Sequence, residues 1–96
     1  MSGKESLEGW DDFARELGLR MQRRRLQLAL SQEHVAYAAG LTRSHYQQLE
    51  RGHSGPERPA NPSLGTLVSL CAALDTTLSD LLPPNYLGIS KHPGAA

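Results

Sequence analysis

The stretch that most strongly predicts the fold of this chain is residues 31–50, SQEHVAYAAGLTRSHYQQLE. Ser31 is a favourable N-cap for a first short helix, and Thr42 is a favourable N-cap for a second. Between them, Gly40 can adopt the positive φ that ends a helix sharply. Two short helices joined by a glycine corner form a helix-turn-helix unit. The stretch therefore predicts such a unit.

The second helix of this unit has two chemically different sides. At about 100° per residue, Tyr46 and Leu49 fall together on the inner side. The outer side carries guanidinium, hydroxyl and carboxamide groups and no carboxylate: Arg43, Ser44, Gln47, Gln48 and Arg51. Such groups hydrogen-bond to base edges in the major groove of DNA. An ordinary solvated helix face is the alternative interpretation of the same pattern.

The charge of the chain is balanced overall but unevenly distributed. Ninety-six residues suffice for one modest core, and the net charge at pH 7 is zero. Residues 1–19 carry two basic and five acidic groups, residues 20–51 carry six and two, and residues 52–96 carry two and three. A basic region on a neutral protein can hold DNA phosphates at one face. A chance scatter of surface charge is the other interpretation.

Several classes of protein are disfavoured by composition. Cys71 is the only cysteine, so an intrachain disulfide is excluded and a reducing compartment is expected. The chain has no apolar run long enough to span a membrane and no signal-peptide core, so we expect a cytoplasmic protein without membrane contact. No histidine spacing indicates a metal site, and no glycine-rich phosphate loop or acid–base pair indicates an enzyme. We therefore expect no metal, no cofactor and no catalytic residue.

A long helix should precede the helix-turn-helix unit. It is expected to start near Asp11 or Asp12, and Gly18, an unfavourable residue in mid-helix, would allow a bend or break. Its core-facing stripe consists of Trp10, Phe13, Ala14, Leu17, Met21 and Leu28. Near its end, Arg25 is a candidate ion-pair partner for Glu50. That pair would tie two helices together and set Arg25 beside the DNA backbone.

Two further helices should follow the unit after a connecting segment. Residues 53–61, HSGPERPAN, are expected to form an irregular surface loop because prolines and glycine oppose a regular element. From this loop, His53 and Arg58 could touch phosphate, or the segment could be a plain connector. The fourth helix should start at Pro62-Ser63, and a short fifth helix should span Leu78 to Leu82.

The whole pattern resembles a known family. The run LGLRMQRRRLQLALSQEHVAYAAGLTRSHYQQLERG, followed by NPSLGTLVSLCAALDTTLSDLLP, is similar to the Cro/C1-type (Xre family) helix-turn-helix domain of the lambda and 434 phage repressors. The resemblance implies an all-α, five-helix, lambda-repressor-like fold, here with an extended first helix. The resemblance covers roughly residues 17–83, and with the extended first helix we expect a DNA-binding domain at residues 10–83, between a polar, flexible N-terminus (1–9) and a tail (84–96). The nine residues between Gly52 and Pro62 exceed the usual family spacing.

The resemblance also implies roles for individual positions. Base contacts are implied for Arg43, Ser44 and Gln48, with Gln47 as a neighbour on the same face. Backbone contacts are implied for Gln32 and Arg51, and Arg25 and His53 are added as candidates for such contacts. Arg25 and Glu50 match the family's structural ion pair.

Two hypotheses about function follow. The first is a sequence-specific DNA-binding transcription regulator, a repressor that binds a palindromic operator of double-stranded DNA as a homodimer. It would be a cytoplasmic protein of a bacterium or a phage, and it would associate with the nucleoid when bound to DNA. The second is an antitoxin or adaptor that binds a partner protein through the exposed Leu19 and Leu26 and the tail residues Tyr86, Leu87 and Ile89.

Overall fold

The computed structural model describes residues 9–84 as five helices and one short hairpin. The helices are α1 (Trp10–Gln27), α2 (Gln32–Ala38), α3 (Arg43–Arg51), α4 (Leu64–Ala73) and α5 (Leu78–Leu81). Between α3 and α4, strands β1 (His53–Gly55) and β2 (Arg58–Pro59) pair antiparallel. The five-helix fold with an extended first helix is confirmed, and the hairpin is an addition to it.

The first helix is continuous, without the bend or break that Gly18 would allow. It starts at Trp10 after Gly9, whose φ of 85° lies in the left-handed region, and two aspartates occupy its first turn. At Gly18, α1 lies very close to α3, since a Cβ added there would lie 2.3 Å from the carbonyl oxygen of Glu50. The missing side chain of Gly18 therefore serves helix packing, not flexibility.

Hydroxyl caps begin the other four helices. Ser31, Thr42, Ser63 and Thr77 each accept a hydrogen bond from the backbone N–H three residues ahead, which satisfies one of the free donors of the helix start. The corner between α2 and α3 contains Gly40 at a φ of 75°, as predicted for a left-handed turn. The geometry of the helix-turn-helix unit is thus encoded locally.

One core joins the five helices. Its buried members come from every helix and from the residue after the hairpin: Ala14, Leu17, Met21, Val35, Ala36, Tyr46, Leu49, Ala60, Leu70, Cys71, Leu74 and Leu81. Burial raises the pKa of the Cys71 thiol, so this cysteine behaves as a small core residue. Leu19 and Leu26 lie outside the core, 45% and 60% exposed.

The segment after α3 is more regular than the sequence indicates. The loop predicted at residues 53–61 contains the β1–β2 hairpin, in which His53 pairs with Pro59 and Gly55 with Arg58. A proline is tolerated here because both strands are edges, so a missing N–H breaks no ladder between neighbours. Pro56 and Glu57 form the turn, where Glu57 adopts a φ of 58°.

Other predictions concern membrane spans, metal sites and the two termini, and only some of them fall on the residues that the structure describes. None of the helices within residues 9–84 is long and apolar enough to cross a bilayer. Within the same range, no three metal-binding side chains cluster together. The predicted flexible N-terminus, apart from Gly9, and the tail after Pro84 with Tyr86, Leu87 and Ile89 lie outside the described residues.

Candidate nucleic-acid interface

Helix α3 presents one side to the core and the other to solvent. Tyr46 is fully buried, and Leu49 and Glu50 are also buried. The opposite side carries the residues proposed from the sequence to meet DNA. Of these, the exposed ones are Arg43, Ser44 and Arg51, and the half-buried ones are Gln47 and Gln48. The inward position of Tyr46 and the outward position of Ser44 agree with the helical arithmetic.

A buried ion pair fastens α3 to α1. The Nε of Arg25 donates to Oε2 of Glu50 at 2.6 Å, and a second guanidinium nitrogen donates to Oε1 at 3.2 Å. The third nitrogen of Arg25 donates to the carbonyl oxygen of Leu30 at 3.0 Å. This bidentate geometry fixes both the distance and the rotation between the two helices.

Three more side chains complete a polar network around Glu50. The hydroxyl of Tyr46 donates to one carboxylate oxygen, and the amide of Gln32 donates to the other at 2.9 Å. Gln47 in turn donates to the side-chain oxygen of Gln32 at 3.0 Å. The network therefore links α1, the start of α2 and α3, and every buried side-chain polar atom of the described residues has a partner.

The network holds Glu50 in its charged form. Burial alone would raise the pKa of the Glu50 carboxyl, but the hydrogen bonds from Arg25, Tyr46 and Gln32 outweigh it and lower that pKa. The pKa of the Arg25 guanidinium is raised, chiefly by its hydrogen bond to Glu50. Burial and the adjacent carboxylate raise the pKa of the Tyr46 hydroxyl well above its ordinary value. All three groups thus keep their charge states throughout the neutral range.

Three residues of the predicted interface belong to this network. Arg25 is only 9% exposed and its guanidinium donates to Glu50 and Leu30, so its observed role is structural, and its contact with the DNA backbone stays a prediction. Gln47 is half-buried and bonded to Gln32, so we group it with the network and not with the base-facing residues. Gln32 lies at the first position of α2 with its amide already bonded to Glu50.

The cations of α3 differ from most of those of α1 in their partners. Within the described chain, Arg15, Arg20, Arg24 and Arg25 of α1 all donate to carboxylates, carbonyls or both. Arg43 and Arg51 are exposed and have no side-chain partner in that range. His53, on β1 directly after α3, is also exposed. Unpaired guanidinium groups at one surface suit an anionic partner.

Sequence reasoning missed two features of this region. The first is the hydroxyl of Tyr46, which packs inward as predicted but also caps the carboxylate of Glu50; the four-residue spacing of the two was the available signal. The second is Trp10, assigned to the core stripe, whose Nε1 donates to the carbonyl oxygen of Ala60 at 3.0 Å. No local pattern indicates a bond between residues fifty positions apart.

Comparison with known proteins places this geometry among regulators. A family model described as a helix-turn-helix domain matches residues 16–82. The restriction-modification controller protein C.AhdI from Aeromonas hydrophila is 34% identical, with 74% of this chain and 97% of that chain covered and a TM-score of 0.63. No curated protein matches the chain.

Two other solved structures share the fold. The hypothetical transcription factor NHTF from Neisseria is 28% identical, with 83% of this chain and 86% of that chain covered and a TM-score of 0.63. The clp gene regulator ClgR from C. glutamicum is 23% identical, with 72% and 82% covered and a TM-score of 0.61. The resemblance to Cro/C1-type domains is thereby confirmed.

Proposed function

Because this chain belongs to the helix-turn-helix domain family, we propose that it is a sequence-specific DNA-binding transcription regulator. In this account α3 is the recognition helix, lying in the major groove with its outer side toward the base edges. The related C.AhdI is named as a controller protein and NHTF as a transcription factor, and neither name describes an enzyme.

The observation that carries the proposal is the outer side of α3. Arg43 and Ser44 are exposed near its start, and Gln48 lies one turn further along on the same side. An arginine can bond to guanine O6 and N7, a glutamine to adenine N6 and N7, and a serine to several partners. No carboxylate lies on this side to repel phosphate, because the only one in α3, Glu50, is buried.

The remaining proposed contacts position the helix on the backbone. Arg51 at the end of α3 and His53 just after it are exposed and supply positive or hydrogen-bonding groups. On the side of α2, Gln32 and the free N–H groups at the helix start would contact a backbone phosphate. The network of Arg25, Glu50 and Tyr46 acts indirectly, because it holds α3 in a fixed position relative to α1.

We further propose a homodimer on a palindromic operator, acting as a repressor. One recognition helix buries too little surface for tight, specific binding. Two copies related by a two-fold axis present two recognition helices about 34 Å apart, matching successive major grooves on one face of the duplex. A dimer seated on promoter DNA would block access of RNA polymerase.

An unbiased selection of bound DNA by the purified full chain tests this proposal. The expected result is an enriched motif made of two inverted half-sites separated by about one helical turn. Recovery of a single half-site would retain the DNA contact and contradict the dimer. Recovery of no motif, with binding that disappears at physiological salt, would contradict sequence-specific recognition altogether.

The alternative of a protein-interaction module gains no specific support. Leu19 and Leu26 are indeed exposed, but isolated exposed leucines are ordinary on protein surfaces. The other surface proposed for a partner protein, in the tail, lies outside the described residues.

A further inference from the structure

The hairpin is anchored at its base by the first turn of α1. Trp10 donates from Nε1 to the carbonyl oxygen of Ala60 at 3.0 Å, and its ring stacks on Phe13 with centroids 5.3 Å apart. The N–H of Ala60 donates to the carbonyl oxygen of Gly52 at 2.9 Å and closes the hairpin. The two departures from the family pattern, an extended α1 and a long segment after α3, are therefore joined. Together they hold the hairpin in a defined place.

The hairpin has two faces of different charge. An open groove separates one face from α3, and its polar lining consists of His45, Gln48, Ser54, Arg58 and Asn61, without a carboxylate. The other face looks toward the start of α1, and its charged lining is mixed, with Asp11 and Glu57 beside Arg15 and Arg58. Acidic groups are thus kept on the side away from the recognition helix.

Arg58 lies at the boundary between the two faces. It lines both the groove beside α3 and the space beside α1, and it is exposed. Its guanidinium has no hydrogen-bond or ion-pair partner within residues 9–84, in contrast to most arginines of α1. A free guanidinium next to Gln48, in a groove without acidic groups, is chemically suited to a phosphate.

We propose that the β1–β2 hairpin is a second DNA-contacting element and that Arg58 holds a backbone phosphate next to the groove read by α3. The proposal rests on the proposed function, since it places the hairpin beside a recognition helix already in the major groove. The occupant of the groove between α3 and the hairpin is then one sugar-phosphate strand of the bound duplex. Phosphate contacts of this kind set register and affinity, whereas base contacts set sequence preference.

The test is the salt dependence of DNA binding by Arg58→Ala, with Arg23→Ala as the matched control. Arg23 is also an exposed arginine without a partner among the described residues, but it lies on α1 beside Asp75 and Asp80. Loss of one phosphate contact should make the negative slope of log K against log salt less steep by about 0.9 per protomer and weaken binding roughly fivefold to tenfold at 0.1 M salt. Arg23→Ala should change neither quantity.

Two further measurements separate the outcomes. Arg58→Lys keeps a positive charge and should restore the salt slope and leave the selected motif unchanged; an altered motif would overturn the assignment to phosphate. If Arg58→Ala behaves like Arg23→Ala while the wild-type chain binds a defined motif, the hairpin proposal fails and the proposed function stands. If the wild-type chain selects no DNA, the proposed function itself fails. Weakened self-association of Arg58→Ala in the absence of DNA, with an unchanged salt slope, would make the hairpin a contact between subunits and overturn the proposal.

Discussion

Glu50 is the residue on which the orientation of the recognition helix depends. Its carboxylate, with a side chain 3% exposed, accepts hydrogen bonds from Arg25, Tyr46 and Gln32. An unpaired buried carboxylate would be strongly unfavourable, and these donors together stabilise its charged form. The same bonds also tie α3 to two other helices. This charged network therefore fixes the position of α3, and the side chains on the opposite side of the helix stay available for contacts with DNA.

Neutralising Glu50 should lower the free energy of unfolding and also weaken the dependence of that free energy on pH. Glu50→Gln leaves Arg25 as a buried cation without its counter-charge, which should cost about 3–5 kcal/mol in the free energy of unfolding at neutral pH. The pKa of the Glu50 carboxyl is lowered on folding. Its stabilisation is therefore complete above the unfolded-state pKa of about 4.3 and is lost as the pH falls through the lower folded-state value.

Urea unfolding at pH 7 and at pH 3 measures both effects. The wild-type chain should lose more stability on acidification than Glu50→Gln does. Asp12→Asn is the control, because Asp12 forms only an exposed pair with Arg15 and should change stability by less than about 1 kcal/mol. Equal acid sensitivity of the wild type and Glu50→Gln would show that Glu50 is not held in its charged form by the network.

At the scale of elements, the crossing of α1 over α3 sets where the recognition helix sits. Gly18 allows the helix to approach the last turn of α3, and Gly52 allows the chain leaving α3 to pass Arg15. An added Cβ at Gly52 would lie 2.7 Å from the Cα of Arg15, and the φ of Gly52 is +86°. Both glycines therefore determine how closely the two helices pack.

Adding one methyl group at this crossing should lower the free energy of unfolding. In Gly18→Ala the new Cβ would meet the carbonyl oxygens of Glu50 and Leu49 at 2.3 and 2.6 Å, which backbone atoms cannot relieve cheaply. We expect a loss of about 1–3 kcal/mol in the free energy of unfolding, measured by denaturant titration. Gly65→Ala is the control, since its Cβ would find only the Oγ of Ser63 at 3.9 Å and should stabilise α4 by about 0.5–1 kcal/mol. Two glycine substitutions of the same sign and size would contradict the close crossing.

The elements that could be predicted from the sequence are those with local determinants. Caps such as Thr42, the glycine corner at Gly40 and the two-sided pattern of α3 lie within a few residues of the structure that they specify. The sequence predicts an irregular loop in place of the hairpin, because one of the contacts at the base of the hairpin comes from Trp10, which is distant in sequence. Helical periodicity placed Tyr46 inside but gave no information about the partner of its hydroxyl.

At the scale of the whole molecule, the proposed specific binding requires two copies of the chain on one duplex. A neutral chain has little general attraction to DNA, so specificity must come from paired local surfaces. The proposed dimer fixes the distance between two recognition helices, and the operator must match that distance.

Operator spacing should therefore control affinity. Inserting five base pairs at the centre of a selected operator rotates one half-site by about half a turn, so that the two recognition helices cannot both enter the major groove. Affinity should fall to that of an isolated half-site, as measured by fluorescence anisotropy at fixed salt concentration. A single-base substitution at the same centre serves as the control. Unchanged affinity after the insertion would contradict a rigid dimer.

The claim on which the account most depends is that the outer side of α3 reads bases. Repeating the selection of bound DNA with Arg43→Ala tests it most directly, because Arg43 is exposed and has no partner within the described chain. The predicted result is loss of preference at one symmetric pair of positions, a penalty of about 1–3 kcal/mol for the wild-type operator, and an otherwise unchanged motif. A motif identical to that of the wild type, bound with the same affinity, would contradict the account.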